Sequence, residues 1–356
     1  MKQRLIYIIH DFKTGGVETA LLSAIPRLID EFDTYIFCIG KVDADFISAL
    51  KQKEQKQIRQ IHFPLILLPI AILKTAYELC KLQPDIIISS LWKSSWVGSF
   101  FKRINPKTTF ISFIHSNKFH NAPDKFFTRK ALKKCDVVFC DSYASKDFIQ
   151  QYTFKKTIQI VSLLRFNTPA PPLPKKELNK QAIFMGRFAA AKRLDKLIHL
   201  IFELNCRDIN ISLDIFGRDD ERLQEKLCLL ISKLDLRNRV RFKGEISPSD
   251  IPSVLKQYDF YMQTSENEGM AMSVVEAMQM GVVPIVTPVG EIFHYAKNME
   301  NAILLDIEHP ETSFTDILNI TLNIDLYHQM AQKANETFKN KIIFAESLIQ
   351  NIKNSL

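Results

Sequence analysis

Short apolar runs alternate with stretches of helical period from the start of the chain. Leu5 to Ile9, Tyr35 to Ile39, Ile86 to Ser89, Thr109 to Ile114 and Val137 to Cys140 read as strands, with helical segments between them, the first opening at Val17. Strands separated by helices predict βαβ units and a parallel sheet. The alternation stops at Pro169, Pro171, Pro172 and Pro174, four prolines that exclude helix and ladder pairing and predict a linker. It resumes at Ala182 to Met185, Ile211 to Phe216, Val240 to Phe242, Phe260 to Met262 and Val283 to Val286. The expected organisation is therefore α/β: a doubly wound domain over 1–165, a linker over 166–181 and a second doubly wound domain over 182–337. From Ile324 onward the pattern is helical and rich in Lys, Asn and Gln.

Composition agrees with two ordinary domains. At 356 residues, 46% hydrophobic and 24% charged, the chain can bury two cores, and disorder is excluded. Six scattered cysteines (Cys38, Cys80, Cys135, Cys140, Cys206 and Cys228), without a Cys-x-x-Cys, read as reduced core residues of a cytoplasmic protein. No export signal is read at the start of the chain. The longest apolar run, Phe63 to Leu73, contains Pro64 and Pro69 and falls well short of the roughly 20 residues of a membrane span, so it is a buried or a surface-seeking segment.

Charge divides unevenly, +13 over residues 1–181 and −5 over 182–356, which gives the first half the affinity for anions. Part of the excess is interleaved with rings: Trp92, Lys93, Trp96, Phe100, Phe101, Lys102 and Arg103, then Lys118, Phe119, Lys125 to Phe127, Arg129, Lys130, Lys133 and Lys134. Cations and aromatic residues together predict peripheral contact with an anionic membrane, at the inner face of the plasma membrane. No nucleic-acid fold signature accompanies them, and nucleic acid is not an expected partner.

The stretch richest in chemistry runs from Ser265 to Met278 and continues to Gly281 and Pro284. Glu268 precedes Gly269 after an apolar strand, and Glu276 falls about two turns into the next helix. Eight helical positions at about 1.5 Å each put the two carboxylates roughly 12 Å apart along the axis. Glycosidase acids must lie within about 10 Å across one bond, so this pair suits recognition of hydroxyls at two ends of an extended ligand. Gly269, Met270, Ala271 and Met272 open the helix and offer backbone N–H groups to an anion.

Other strand ends add to this. Gly186 and Arg187 close one strand and Lys192 follows at a helix start, so a bidentate fork and a point charge can converge on a diphosphate. Gly217 and Gly244 close the next two strands. Gly15 and Gly16 lie between the first strand and first helix, where a tight turn can face an anion. His115 follows the fourth predicted strand at its carboxyl end, with His10 a weaker competitor. Asp43-Ala44-Asp45 has the spacing of an Asp-x-Asp metal motif but begins a predicted helix, where capping explains an acid.

Together these residues resemble family 4 glycosyltransferases, also called glycosyl transferases group 1, of the GT-B fold. The resemblance is specific over 182–290 and topological over most of 1–165. It implies two Rossmann-like domains facing across a cleft, with a last helix, about 338–356, packing back on the first. By resemblance, Glu268 meets donor-sugar hydroxyls, Glu276 holds the ribose, Arg187 and Lys192 neutralise the diphosphate, and His115 reaches the sugar or the acceptor. Gly15 and Gly16 approach the donor, while Gly217 and Gly244 line the base pocket.

The implied reaction is a retaining, metal-independent transfer from a nucleotide sugar, UDP-linked by expectation, to a glycan or lipid-linked acceptor. The nucleotide sugar is a substrate, and no cofactor is expected. Alternatives are a sugar epimerase or phosphorylase using the same fold, or a non-catalytic sugar-nucleotide-binding subunit. Three departures stand out: Arg193 where the family has Gly, Leu164-Arg165-Phe166-Asn167 where it has Pro-Asn-Gly, and Gly290-Glu291 where it has Gly-Gly.

Overall fold

Every residue from Leu5 to Ile9 is buried in β1 (Arg4–Ile9). A strand covered on both faces carries no polar alternation, and this is the signature of a parallel sheet layered by helices. The computed structural model describes residues 2–153, 156–171 and 174–356. They form two compact units, Met1–Phe166 with Ile342–Leu356, and Asn167–Lys341.

In the first unit β1 is joined by β2 (Asp33–Cys38), β3 (Ile58–Gln60), β4 (Ile86–Ser90), β5 (Thr109–Ile114), β6 (Val137–Cys140) and β7 (Ile158–Ile160). The sheet order is β3-β2-β1-β4-β5-β6-β7, with every pair parallel. The order reverses between β1 and β4, where the connecting helices diverge to opposite faces and leave space outside the carboxyl ends. The last helix, Phe344–Lys353, also belongs to this unit. Phe344 N–H donates to Leu164 O at 2.6 Å, and Ser347 Oγ accepts from Ser162 N–H at 3.0 Å. Phe344, Leu348 and Ile352 are fully buried, and the helix packs along Gly16–Glu31.

The second unit repeats the plan with β8 (Gln181–Met185), β9 (Ser212–Phe216), β10 (Val240–Gly244), β11 (Phe260–Gln263), β12 (Val283–Val286) and β13 (Ile303–Leu304). Its order is β10-β9-β8-β11-β12-β13, again parallel, and reverses between β8 and β11. Two doubly wound α/β units are thus the architecture. The sequence pattern passed over β3, β7 and β13, which are two or three residues long and, in β3 and β7, broken by Arg59, Gln60 and Gln159.

The proline-rich stretch makes hydrogen bonds to the second unit: Gln279 Nε2 donates to Thr168 Oγ1 at 3.1 Å, Asn335 Nδ2 to Pro169 O at 3.2 Å and Lys175 Nζ to Asp259 Oδ1 at 2.5 Å. Prolines remove donors from the segment but leave its carbonyls able to accept. Pro172 and Leu173 lie outside the described residues. The cysteines are all unpaired, but Cys206 and Cys228 are exposed and so are not core residues. Cys228 sits on the helix Gln224–Lys233 and Cys206 directly follows the helix Leu194–Asn205, and at such positions a local apolar context does not fix which side a residue faces.

Candidate functional site

The reversal point of the second sheet carries the candidate residues. β8, β9 and β10 end side by side in Gly186, Gly217 and Gly244: Gly186 N–H donates to Phe216 O at 3.0 Å and Gly217 N–H to Gly244 O at 2.8 Å. Gly217 has φ +145°, and a β-carbon there would lie 1.7 Å from Gly186 O. The strand ends close together only because that side chain is missing. At Gly244, φ is +79° and the space is open.

Beyond Gly186, Arg187 is exposed and makes no hydrogen bond or ion pair among the described residues. Lys192 ends a single 3-10 turn, Ala190–Lys192. Its Nζ lies 2.7 Å from Glu268 Oε1, which also accepts from Gln263 Nε2 at 3.0 Å. Gln263 ends β11 and is fully buried, and its Oε1 faces the Tyr261 hydroxyl at 2.9 Å. That hydroxyl also lies 3.2 Å from Met185 O and 2.7 Å from Ser273 Oγ. Burial drives the Tyr261 phenol far above its ordinary range, and the charges of Glu268 and Glu276 add to the shift, so it stays protonated. Tyr261, Gln263 and Ser273 thus hold the carboxylate loop from beneath. Sequence reasoning missed all three; the one visible signal was a polar Gln closing an apolar strand.

The axial estimate for the two carboxylates does not hold. The helix is Met272–Gln279, so Glu268 lies in the preceding loop and Glu276 just over one turn in. A helical rise over eight positions therefore has no meaning here, although both charges reach Tyr261. Both side chains are largely buried, Glu268 at 8% exposure and Glu276 at 4%. The helix has no side-chain cap; Ala271, at φ +55°, turns the chain into it, and Tyr295 hydroxyl donates to Met270 O at 3.2 Å. Gly269 is not among the residues of positive φ.

Two departures from the family pattern resolve in local geometry. Arg193 takes the left-handed conformation a glycine would take, φ 47°, and its guanidinium is held by Asp195 at 2.9 Å and by Glu266. Those carboxylates hold it even more firmly protonated than a free arginine. Gly290, φ +59°, packs where a β-carbon would lie 2.1 Å from Glu268 O. Glu291 follows at φ −72°, needs no glycine, and its N–H donates to Gly269 O at 3.0 Å.

In the first unit His115 follows β5. Its Nε2 is 3.0 Å from Ser90 Oγ and its Nδ1 3.3 Å from Asp141 Oδ2, with the side chain 3% exposed. The chain extends to Tyr7 hydroxyl, 2.6 Å from Ser90 Oγ, and from Asp141 Oδ1 to Ser142 and Ser145, each at 2.8 Å. Both ring nitrogens therefore face protein partners. His10, after β1, accepts from Lys93 N–H at 2.6 Å and meets Trp92 edge-on; burial pushes its pKa down to about 3, with Lys93 adding to the shift. A neutral ring accepting at Nε2 carries its proton at Nδ1.

Gly15 has φ −175°, which any residue adopts, but a β-carbon there would meet Glu18 Oε2 at 2.3 Å; Gly16 begins the helix. Asp43 caps a short helix by accepting from Asp45 N–H at 3.0 Å and Phe46 N–H at 3.3 Å. The rings expected to face a membrane largely pack on one another: Trp96 stacks on Phe127 at 4.3 Å, Phe101 is fully buried, and Phe126 alone of these stands exposed, at 60%.

Residues 168–337 match the family model described as glycosyl transferases group 1. The second unit is thus the part of the chain that is similar to glycosyl transferases group 1. The chain is 29% identical over 176 residues to the UDP-N-acetylglucosamine–peptide N-acetylglucosaminyltransferase GtfA subunit of Streptococcus agalactiae, covering 47% of this chain and 33% of that protein. It is 21% identical over 341 residues, 92% of each chain, to the lipopolysaccharide core biosynthesis glycosyltransferase LpsE of Rhizobium meliloti. The chain spans half or less of the length of several curated relatives it matches. Its fold is that of Anabaena Alr3699/HepE, solved in complex with UDP and glucose, with TM-score 0.83 at 16% identity over 99% of each chain. The matched residues contain all the basic and acidic candidates of the second unit, while His115, Gly15 and Gly16 lie outside them.

Proposed function

We propose that the chain is a retaining glycosyltransferase that moves a sugar from a UDP-sugar to a glycan or lipid-linked acceptor in the synthesis of surface polysaccharide or lipopolysaccharide, without a metal. The observation that carries this reading is the Lys192–Glu268 pair between the end of β8 and an uncapped helix N-terminus, where the second sheet reverses its order, with Arg187 following the same strand end. Arg187, without a protein partner among the described residues, is available to a diphosphate, and Lys192 reaches it by sharing or leaving Glu268. Freed of Lys192, Glu268 accepts from sugar hydroxyls, and Glu276 holds the ribose.

The acceptor oxygen bonds to the anomeric carbon from the face the diphosphate leaves, the bond to the β-phosphate oxygen breaks, and the acceptor proton passes to that oxygen. Cations and helix N–H groups stabilise the developing charge. His115 takes part only by exchanging Ser90 for a substrate atom. UDP is favoured by the ligand of the HepE structure and by the donor in the GtfA subunit's name, and the pathway by the LpsE name. We place the enzyme in the cytoplasm at the membrane face; among the described residues no helix is long and apolar enough to cross a membrane.

Purified protein is tested for nucleotide release and thermal shift with UDP-, GDP- and ADP-sugars. A UDP-sugar at about 100 times its dissociation constant adds about 2.7 kcal/mol of stability, and an added glycan acceptor accelerates release. Binding without turnover on any acceptor preparation makes the chain a donor-binding subunit instead.

A further inference from the structure

The helix Leu68–Leu82 buries Leu68, Ala71, Ile72, Ala76 and Leu79 against the first unit's core. Its other face is also apolar. Ile66, Ile70, Leu73 and Tyr77, at helical spacing along this helix and the turn before it, are 87%, 49%, 58% and 60% exposed. With Leu67 they make up five of the fourteen large hydrophobic side chains that stand exposed among the described residues. A surface helix ordinarily turns a polar face outward, and a contiguous exposed apolar stripe marks a surface that something covers.

Charge selects the occupant. Residues 51–82 contain six Lys and Arg against two Glu. Glu54 is buried and accepts from Lys51 N–H at 2.8 Å, while Glu78 lies beside Arg59 and Lys81, at 3.9 and 3.5 Å. Lys74 and Lys81 flank the stripe, over the rings of Phe63 and Tyr77. The face therefore presents apolar groups rimmed by cations. A second copy docked about a two-fold axis would bring the same cations together. A bilayer with anionic headgroups meets both parts, apolar side chains entering the acyl boundary and ammonium groups remaining among phosphates.

We propose that the outer face of Leu68–Leu82, begun by Ile66, seats in the interface of an anionic membrane. Helix Trp92–Ile104 packs between it and helix Ala122–Lys134, whose exposed Phe126, Lys133 and Lys134 extend the cationic rim. This surface rests on the reading of a membrane-associated acceptor, and it moves the apolar anchor from the stacked Trp92, Trp96 and Phe127 to a helix the charge pattern alone did not mark.

The experiment is co-sedimentation of the whole chain with phosphatidylcholine vesicles, with and without phosphatidylglycerol. Wild type is expected in the pellet with anionic vesicles at low salt. I70S/L73S is expected to bind at least about tenfold more weakly with its melting temperature and UDP affinity unchanged, and K74E/K81E to lose the preference for anionic lipid. Wild type left in the supernatant, or I70S/L73S binding as wild type does, overturns the proposal. So does a wild-type dimer in sedimentation velocity that I70S/L73S converts to monomer, since a second copy then covers the face. If vesicle binding fails while UDP-sugar is still turned over, only the surface falls; if binding behaves as expected while turnover is absent, the surface stands and the transferase reading falls.

Discussion

Lys192 Nζ and Glu268 Oε1 lie 2.7 Å apart, and Gln263 Nε2 donates to the same oxygen at 3.0 Å. In the proposed reading, the cation for the diphosphate and the carboxylate for the sugar thus neutralise each other until a donor arrives. Among the described residues Glu268 Oε2 has no protein hydrogen bond. One oxygen is tethered and the other can accept a hydroxyl.

This pairing separates the effects of the two acids. Glu268→Ala is expected to lower kcat, and Glu276→Ala to raise KM and weaken UDP binding, each by about 1.5–3 kcal/mol for a lost hydrogen bond to a charged group. Steady-state kinetics together with UDP calorimetry distinguish them; wild-type values for both variants remove the site.

Arg193 occupies a left-handed conformation that costs a non-glycine residue about 1–2 kcal/mol. Arg193→Ala keeps that cost and loses the bonds to Asp195 and Glu266, whereas Arg193→Gly loses the bonds and is relieved of the strain. The glycine variant should be more stable than the alanine variant by about 1 kcal/mol, measured by urea unfolding. The reverse order contradicts the left-handed geometry.

The two rim glycines should respond differently to a methyl group. Gly217→Ala meets a carbonyl at 1.7 Å and is expected to cost about 2–6 kcal/mol from strain and overpacking. Gly244→Ala meets nothing within 4 Å and is expected to cost only the backbone term, about 1–2 kcal/mol. Equal melting temperatures for the two would refute the close approach of β8 and β9.

His10 sets an acid limb on stability. Its folded pKa of about 3 lies below the unfolded value of about 6.5, so the unfolded chain binds the extra proton. The contribution is complete above about pH 6.5 and is lost as pH falls toward 3, by about 1.4 kcal/mol per unit at most. His10→Gln, with no such titration, should show a shallower loss between pH 6.5 and 5 in urea midpoints. Parallel curves for wild type and variant would show that the ring charges freely.

On the proposed reading Arg187, Lys192 and a helix N-terminus neutralise the diphosphate, and Asp43 is engaged as a cap, so we expect transferase activity to persist in excess EDTA. Loss on chelation with recovery on Mn²⁺ or Mg²⁺ would require another mechanism.

Much of this architecture was legible because buried parallel strands are apolar along their whole length. Phe260 to Met262 and Val283 to Val286 could hardly be read otherwise, and Glu268, Glu276, Arg187 and Lys192 stand at fixed offsets from such strands. What stayed hidden depends on contacts between distant residues. Tyr261 is an ordinary strand residue until its hydroxyl is seen beside Met185 O and Ser273, and Gln263 acquires its role only from the fold of the loop. The engagement of His115 by Ser90 and Asp141 joins the ends of three strands, which no local spacing records. Arg193 shows the opposite case: the missing glycine was visible, but the carboxylates that hold its replacement were not.

The first unit is discontinuous in sequence, with its closing helix supplied after the whole of the second unit. During synthesis the second unit is complete at Lys341 while the groove for Phe344, Leu348 and Ile352 is still empty. At about 5–20 residues per second the last segment takes roughly one to three seconds to elongate, longer still before it clears the ribosome. For that interval the nascent first unit exposes an apolar surface beside the Gly16–Glu31 helix. A nascent chain halted after the second unit has emerged but before Phe344 does should therefore recruit chaperones to that exposed surface.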